Sequence, residues 1–444
     1  MLSLHILEYE EKDVLSSCSV SARALLGASA PVKEPFHSNT SRPSRAVLRC
    51  HRQPNFGSDT IRVSWPEGVN MKRFKLSRRA LITGGIGLAA GLSGVGPVLV
   101  FAAGENAASI LPREAGTAPW DYWLSNLGSG TLRLTSAAIL AANPYNTQPW
   151  LFRLSEDRIE LFADEGRNLA GLDPFRREFY MGLGCAIENA SVAAPSQGTN
   201  ADVALLPDPG QRGLAAAIQL RASNISRHPH HDAIALRHTH RGPYRLDRPI
   251  PQDTLSALTR QILSPNTKLL FVEAASPEGK ALSGLMIEAA ARILETPALL
   301  EGRHGGLRIA SVANADNTEM ALANADAAWL ETTRKVHLAT ASVFGLIMVR
   351  GARADHVLHM EAGRLWQRVH LEGTLQGLAM QPLNHLIEVI DHESFGSQQS
   401  AMRERMNLPA DWKGWEPIFG FRLGYANAAA PRSPRRPLSM VVIG

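Results

Sequence analysis

Cysteine is nearly absent. There are three in 444 residues, Cys18, Cys50 and Cys185. Only Cys185 falls in the part of the chain expected to fold, within the helical pattern 179–185, where a lone thiol is ordinarily a small buried side chain. A disulfide framework is excluded if Cys18 and Cys50 are not in the mature protein. Charge of one sign is also scarce: 46 Lys and Arg stand against 41 Asp and Glu, a formal net charge of +5. Part of that excess lies near the N-terminus and in the last residues, and no interleaved basic-aromatic helix or RNA-binding motif accompanies it. Nucleic acid is therefore not an expected partner. No P-loop or Rossmann glycine fingerprint stands out; Gly182-Leu183-Gly184 is too short and falls mid-helix. Ser-His-Asp chemistry lacks a Gly-x-Ser-x-Gly elbow. His228-Pro229-His230-His231-Asp232 fits no metal-ligand spacing, and Pro229 breaks the helical i, i+4 pairing a metal site would use. No metal is expected.

The one long apolar run, 81–103, carries Gly84, Gly85, Gly87, Gly91, Gly94 and Gly96, which lower its hydrophobicity. Met71-Lys72-Arg73-Phe74-Lys75-Leu76-Ser77-Arg78-Arg79-Ala80-Leu81 precedes it. Ser-Arg-Arg-x-Leu before a weakly hydrophobic segment resembles a twin-arginine export signal, with small residues for cleavage near 102 or 103. An uncleaved membrane anchor is the alternative, since roughly 20 residues can span a bilayer. Residues 1–70 show scattered Ser, Pro, Arg and His without periodicity, and are expected to be disordered or untranslated, with synthesis starting at Met71. The expected location is the periplasm or cell envelope.

With 45% hydrophobic and 20% charged residues, the rest has ordinary globular composition and length for two domains or one duplicated domain. The pattern is mixed α+β. Helices are expected over 120–127, 132–141, 173–193, 252–263, 277–294, 316–339 and 357–378. Strands are expected over 150–154 and 158–163, paired through a turn at Glu156-Asp157, and over 201–206, 215–222, 268–272 and 419–425. Helix and strand occur in the same rough order in 115–225 and in 230–444, compatible with two fused halves.

Three stretches carry chemistry. Asn143-Pro144-Tyr145-Asn146-Thr147-Gln148-Pro149-Trp150 packs amides, a hydroxyl and two prolines before an apolar strand. Amides present donors and acceptors together, which suits a flat hydrogen-bonding ring such as a flavin. Arg237-His238-Thr239-His240-Arg241 and Pro431-Arg432-Ser433-Pro434-Arg435-Arg436-Pro437 supply guanidinium forks and hydroxyls for a phosphate. Gly377-Leu378-Ala379-Met380-Gln381-Pro382-Leu383-Asn384 ends a long helix.

Together these stretches resemble the nitroreductase-type FMN proteins, in the Acg-type branch where two nitroreductase halves are fused in one chain. Asn146, Gln148, Pro149 and Trp150 match the loop motif; Ala142-Asn143 stand where the family has Pro-Ser. The resemblance implies a nitroreductase-like α+β fold, each half an antiparallel-rich sheet flanked by helices, binding one FMN at the seam. Asn146, Thr147, Gln148 and Pro149 would face the ring from the first half. Arg237, His238, Thr239 and Arg241, with Arg432, Ser433, Arg435 and Arg436, would hold the phosphate from the second. Pro382, Leu383 and Asn384 would lie against the ring, offering it a backbone N–H. No side chain is then catalytic, because the flavin carries two-electron transfer to a nitro- or quinone-like acceptor from an unknown donor. The alternatives are a flavin-sequestering protein without turnover and, more remotely, an envelope structural protein. If the fused halves replace a dimer, a monomer is expected.

Overall fold

The structure, a computed structural model, describes residues 116–224, 227–310, 319–396 and 399–444, with two strand fragments further upstream. It divides into two compact units, 1–102 and 103–444. In the first, the described residues are an antiparallel pairing of Thr60–Ile61 with Leu76–Ser77. The expectations for 1–70 and for the export signal at 71–103 otherwise lie outside the described residues. Among the described residues no helix is long and apolar enough to cross a membrane.

The larger unit is α+β and holds two sheets. The first contains β1 (Trp150–Leu154), β2 (Arg158–Ala163), β3 (Thr199–Leu205) and β4 (Leu214–Ala222). The second contains β5 (Thr267–Glu273), β6 (Val343–Val349), β7 (Ala379–Pro382) and β8 (Glu416–Gly424), all antiparallel. A last strand, β9 (Val442–Ile443), pairs parallel to β1. The orders are β3-β4-β2-β1-β9 and β7-β8-β6-β5. Each sheet thus repeats one plan, and the C-terminal strand of the chain completes the sheet of its first half.

Helices α1 (Ala118–Leu124), α2 (Gly130–Ala138) and α3 (Arg177–Ala193) belong with the first sheet. With the second go α4 (Gln252–Thr259), α5 (Pro277–Glu295), α6 (Pro297–Ala310), α7 (Glu319–Thr332), α8 (His356–Leu375) and α9 (His385–Ser394). Helix α3 is buried at nearly every position, as a helix packed on all sides must be. It crosses α8 through two glycines: a Cβ on Gly184 would stand 2.2 Å from the Met360 carbonyl oxygen, and one on Gly363 would stand 2.1 Å from that of Met181. Each half therefore supplies one central helix, and the absence of two methyl groups sets how closely they approach.

Several boundaries differ from the sequence reading. The helix expected from 173 starts at Arg177, because Asp173-Pro174 makes a turn and Arg176 is left-handed (φ 54°). The Asp173 carboxylate then accepts from the backbone N–H groups of Glu178 (3.2 Å) and Phe179 (2.9 Å), satisfying donors at the helix start. The helix expected over 316–339 is α7 followed by a π-helical turn, Thr333–Leu338. Helices α6 and α9 and strands β6 and β7 were not anticipated. Gly302, Gly305 and Gly306 weaken the α6 signal, and β6 is an apolar run buried on both faces, without the alternation that marks a half-exposed strand.

Candidate functional site

The loop before β1 is strained. Tyr145 (φ 49°), Asn146 (58°) and Gln148 (51°) are all left-handed without being glycine, a conformation that persists only where the surroundings hold it and that gathers at functional sites. The hold is visible. Asn143 Oδ1 accepts from the Gln148 N–H at 2.8 Å, the buried Thr147 hydroxyl donates to the Pro144 carbonyl at 2.9 Å, and the Pro149 carbonyl accepts from the Asp164 N–H at 3.0 Å. Pro144 and Pro149 rest on α3 where Gly182 leaves room.

The C-terminal tail closes on this loop. Arg435 Nη1 donates to Asn146 Oδ1 at 2.7 Å, and Asn146 Nδ2 donates to the Pro434 carbonyl at 2.9 Å. The Arg436 N–H donates to Gln148 Oε1 at 2.6 Å, and Arg436 Nη1 reaches both the Gln148 carbonyl and Asp164 at 3.2 Å. Gln148 Nε2 donates to the Asn146 carbonyl at 3.3 Å. The amides that the sequence offered to a ring thus bind the chain's own tail. Trp120 of α1 donates its indole N–H to the Ser433 carbonyl at 2.8 Å and lies edge-on to His238, ring centroids 4.7 Å apart.

Behind the tail two cations are buried without an acid. Arg237 is 2% exposed and Arg435 3%. Arg237 Nη2 and Arg435 Nη2 both donate to the Leu140 carbonyl, at 3.1 and 3.3 Å, and Arg435 also reaches the Ala141 carbonyl. Neither pairs with a carboxylate among the described residues, and the Nε of each has no partner. Burial pushes the Arg237 guanidinium down to about 10, and burial with the neighbouring Arg237 pushes Arg435 down to about 9. His238, half-buried, is pushed down to about 4 by desolvation and then by Arg237 and Arg435, and is neutral at pH 7. Two desolvated guanidiniums with free donors are costly alone, and a phosphate dianion supplies the missing charge. These residues fit the phosphate of a nucleotide cofactor.

The arm from Arg237 continues beside β7. Thr239 bridges to Met380, and the His240 N–H donates to the Met380 carbonyl at 3.1 Å. A cavity of ≈ 340 Å³ lies along Thr239, Arg241 and the chain at 427–431. Arg241 is exposed at its rim. At the end of β7, Pro382 carries no N–H and that of Leu383 is taken by the Gly420 carbonyl at 2.7 Å, so neither can serve a ring. The Asn384 side chain accepts from the Gly420 N–H at 3.0 Å, while its own N–H is left without an acceptor among the described residues, at the start of α9.

The structure therefore brings together Asn146, Thr147, Gln148, Pro149, Arg435 and Arg436, joins Arg237 and His238 to them through Leu140 and Trp120, and sets Thr239 against β7. Arg432 stands apart, ion-paired with exposed Asp121 at 2.7 Å, and Ser433 contributes its carbonyl to Trp120. Sequence reading missed Trp120, His370 (its Nδ1 3.4 Å from Arg237) and Arg422. Buried Arg422 donates to Gln381 Oε1 at 2.8 Å and stacks on Tyr244, and only a cation amid the apolar β8 run could have signalled it. A larger cavity, ≈ 890 Å³, along 246–260 and β5 contains none of these residues. Among the described residues no metal-ligand cluster occurs; His230 instead pairs with Glu372 at 2.9 Å.

No family model matches the chain. It is 24% identical over 318 residues, 69% of this chain and 88% of the relative, to a Mycobacterium tuberculosis protein named "Putative NAD(P)H nitroreductase". A second M. tuberculosis protein bearing that description is 32% identical over 110 residues, 24% of this chain and 33% of that protein. Among solved structures, a nitroreductase with bound FMN from Bacteroides fragilis covers 46% of this chain and 92% of that one, at 14% identity and a TM-score of 0.31.

Proposed function

We propose that this chain is an FMN-dependent oxidoreductase of the nitroreductase type, with one FMN held where its two halves meet. One observation carries the reading: Arg237 and Arg435 are buried side by side, without an acid among the described residues, behind a strained Asn-Thr-Gln loop. The similarity to NAD(P)H nitroreductases along 88% of one such relative supports it and points to a nicotinamide nucleotide as donor. FMN supplies two-electron transfer when bound. The chain's own residues do the rest. Arg237, Arg435 and Thr239 bind the phosphate. The Asn146–Gln148 loop and its tail contacts fix the wall of the site. The free Asn384 N–H at the start of α9 favours negative charge developing on the ring. The acceptor is a nitro- or quinone-like small molecule. Both halves contribute to one site, so a monomer is complete.

One observation favours a second reading, a flavin binder with little turnover: the side-chain amides of Asn146 and Gln148 are both engaged by the tail. The decisive experiment is the spectrum and extracted-cofactor analysis of purified protein, followed by anaerobic addition of NAD(P)H. Rapid bleaching of a yellow protein supports the enzyme, and bleaching by dithionite alone supports the binder. A colourless protein that takes up no FMN removes both. Export by the twin-arginine route to the periplasm or cell envelope is proposed from the Ser77-Arg78-Arg79 signal, with or without an uncleaved anchor. Mapping the N-terminus of the exported protein tests it, and a mature chain beginning at Met1 overturns it.

A further inference from the structure

Around the end of β7 the fold gathers polar side chains that the proposed chemistry has not used. Gln381, His337 and His385 are 5%, 5% and 4% exposed. They come from three elements: β7, the π-helical turn that follows α7, and the first residue of α9. Gln381 Nε2 stands 3.4 Å from both ring nitrogens of His337, and its Oε1 is held by Arg422. His385 packs edge-on to Trp329 at 5.9 Å, and its Nε2 has no hydrogen-bond partner among the described residues. A buried orphan nitrogen is costly in a finished core, so its presence points to a partner that arrives with a ligand. A π turn is likewise a local departure from the α-helix that recurs at functional sites.

The surroundings give that ligand a sign. Arg241, Arg303 and Arg422 act on the two imidazoles, and all three are cations. Of the acids around Arg303, Asp326 is already paired with Arg303 at 2.8 Å and His304 at 2.6 Å, and burial together with the neighbouring Glu178 raises Glu388 well above the usual carboxylate range. Burial pushes His337 down to about 4, with Arg422 and Arg241 adding to it, and pushes His385 down to about 3, with His337 and Arg303 adding to it. Both rings are neutral at pH 7. A neutral imidazole can still donate one hydrogen bond, and a ligand acceptor at this nitrogen would receive it inside a positive field.

The geometry points to His385 as a hydrogen-bond donor, through its Nε2, to the carbonyl-bearing edge of the flavin or to the oxygen of an acceptor lying on it, with Gln381 and His337 fixing that edge. The inference rests on the FMN reading and deepens it. His385 follows directly on Asn384, whose N–H is the free donor at the same helix start. Two unpartnered donors at one helix start would, with FMN bound beside them, favour the reduced ring, which carries more electron density, over the oxidised one.

The test is a redox titration of FMN bound to the wild-type chain and to His385→Leu and His385→Gln, alongside equilibrium FMN affinity for each. Loss of the donor in His385→Leu should cost about tenfold in preference for the reduced form, a midpoint about 30 mV more negative for a two-electron couple. His385→Gln keeps an N–H donor and should recover most of the difference. The absorption band of the oxidised flavin should move in His385→Leu, a response that a purely structural role would not produce. Unchanged midpoint and spectrum in His385→Leu, with FMN still bound, overturn the inference while the cofactor reading stands. A wild-type chain that binds no FMN overturns the cofactor reading itself.

Discussion

Arg237 and Arg435 donate to one and the same carbonyl, that of Leu140, at 3.1 and 3.3 Å. The residues are far apart in sequence, and their charges repel. Nothing in a core of this composition requires such an arrangement, and burial lowers the proton affinity of both. The fold accepts the cost of holding two cations at the seam, as expected where a dianion is the missing third member.

Removing either cation should therefore act on the ligand. Arg237→Ala and Arg435→Ala should each weaken FMN binding by about 1.5–3 kcal/mol, the range for a hydrogen bond to a charged group. The double variant should fall short of the sum, because the residues share an acceptor. Arg432→Ala is the control; its partner is exposed Asp121, and its effect should stay within about 0.5 kcal/mol. Titration of the apo protein followed by flavin fluorescence separates the cases. Equal losses at Arg432 and Arg435 would return the phosphate to the protein surface.

Much of this was legible from sequence because the chemistry is carried by short polar runs. Asn146 to Gln148, Arg237 to Arg241 and Arg432 to Arg436 are dense in groups that a hydrophobic core has no use for, and the loop and both arms do meet, through Asn146, Arg237 and Arg435. What stayed hidden is what crosses between runs. Asn146 and Gln148 look like ligand amides, and only the fold shows both bonded to the tail. Arg432 and Arg435 read alike in sequence, yet one faces solvent and the other is buried, a difference of backbone direction across Ser433 and Pro434. The free N–H was expected somewhere in 382–384; that it belongs to Asn384 depends on Gly420 coming close enough to take Leu383.

The same buried charge predicts a trade between binding and stability. Arg435→Met keeps most of the side-chain volume and removes the unpaired cation. In the absence of FMN it should leave the melting temperature unchanged or raise it, since replacing a buried unbalanced charge by an apolar group is often neutral or stabilising. The variant should also lose the stabilisation that FMN gives the wild-type protein, which follows ligand concentration over Kd. A variant melting well below the wild-type apo protein would make Arg435 a structural strut, with Asn146 and the Leu140 and Ala141 carbonyls as its purpose.

The seam itself can be tested at its two glycines. Gly184→Ala forces a methyl group to 2.2 Å from the Met360 carbonyl oxygen, and Gly363→Ala to 2.1 Å from that of Met181. These neighbours are backbone, so relief requires α3 and α8 to part, at a cost of about 1–3 kcal/mol or more. Gly284 of α5 faces open space, and its replacement by alanine should stabilise by up to about 1 kcal/mol through helix propensity alone. Denaturant unfolding of the three variants decides. Because the crossing lies between the halves, the first two should also weaken FMN binding, whereas the third should not.

Acid should destabilise this fold through its histidines. Burial holds His337 and His359 near 4 and His385 near 3, with His370 also well below the ordinary value. Between about pH 6.5 and 4 the unfolded chain binds these protons and the folded chain does not. Stability therefore rises with pH across that window, by about 1.4 kcal/mol per pH unit for each fully responding group. Asp173, raised to about 7 by burial, and Glu388, also raised by burial, act the other way: folded, they keep protons that the unfolded chain has released, so each lowers stability as pH rises. Four buried histidines against two buried acids leave the net slope positive. Chemical denaturation at intervals from pH 7 to 4.5 should show the unfolding free energy falling as pH falls, with net proton uptake of about one to two on unfolding. A flat profile would mean that the histidines at the end of β7 are already charged, or open to water, in the folded protein, and His385 would then lose its claim to an unpaired buried nitrogen.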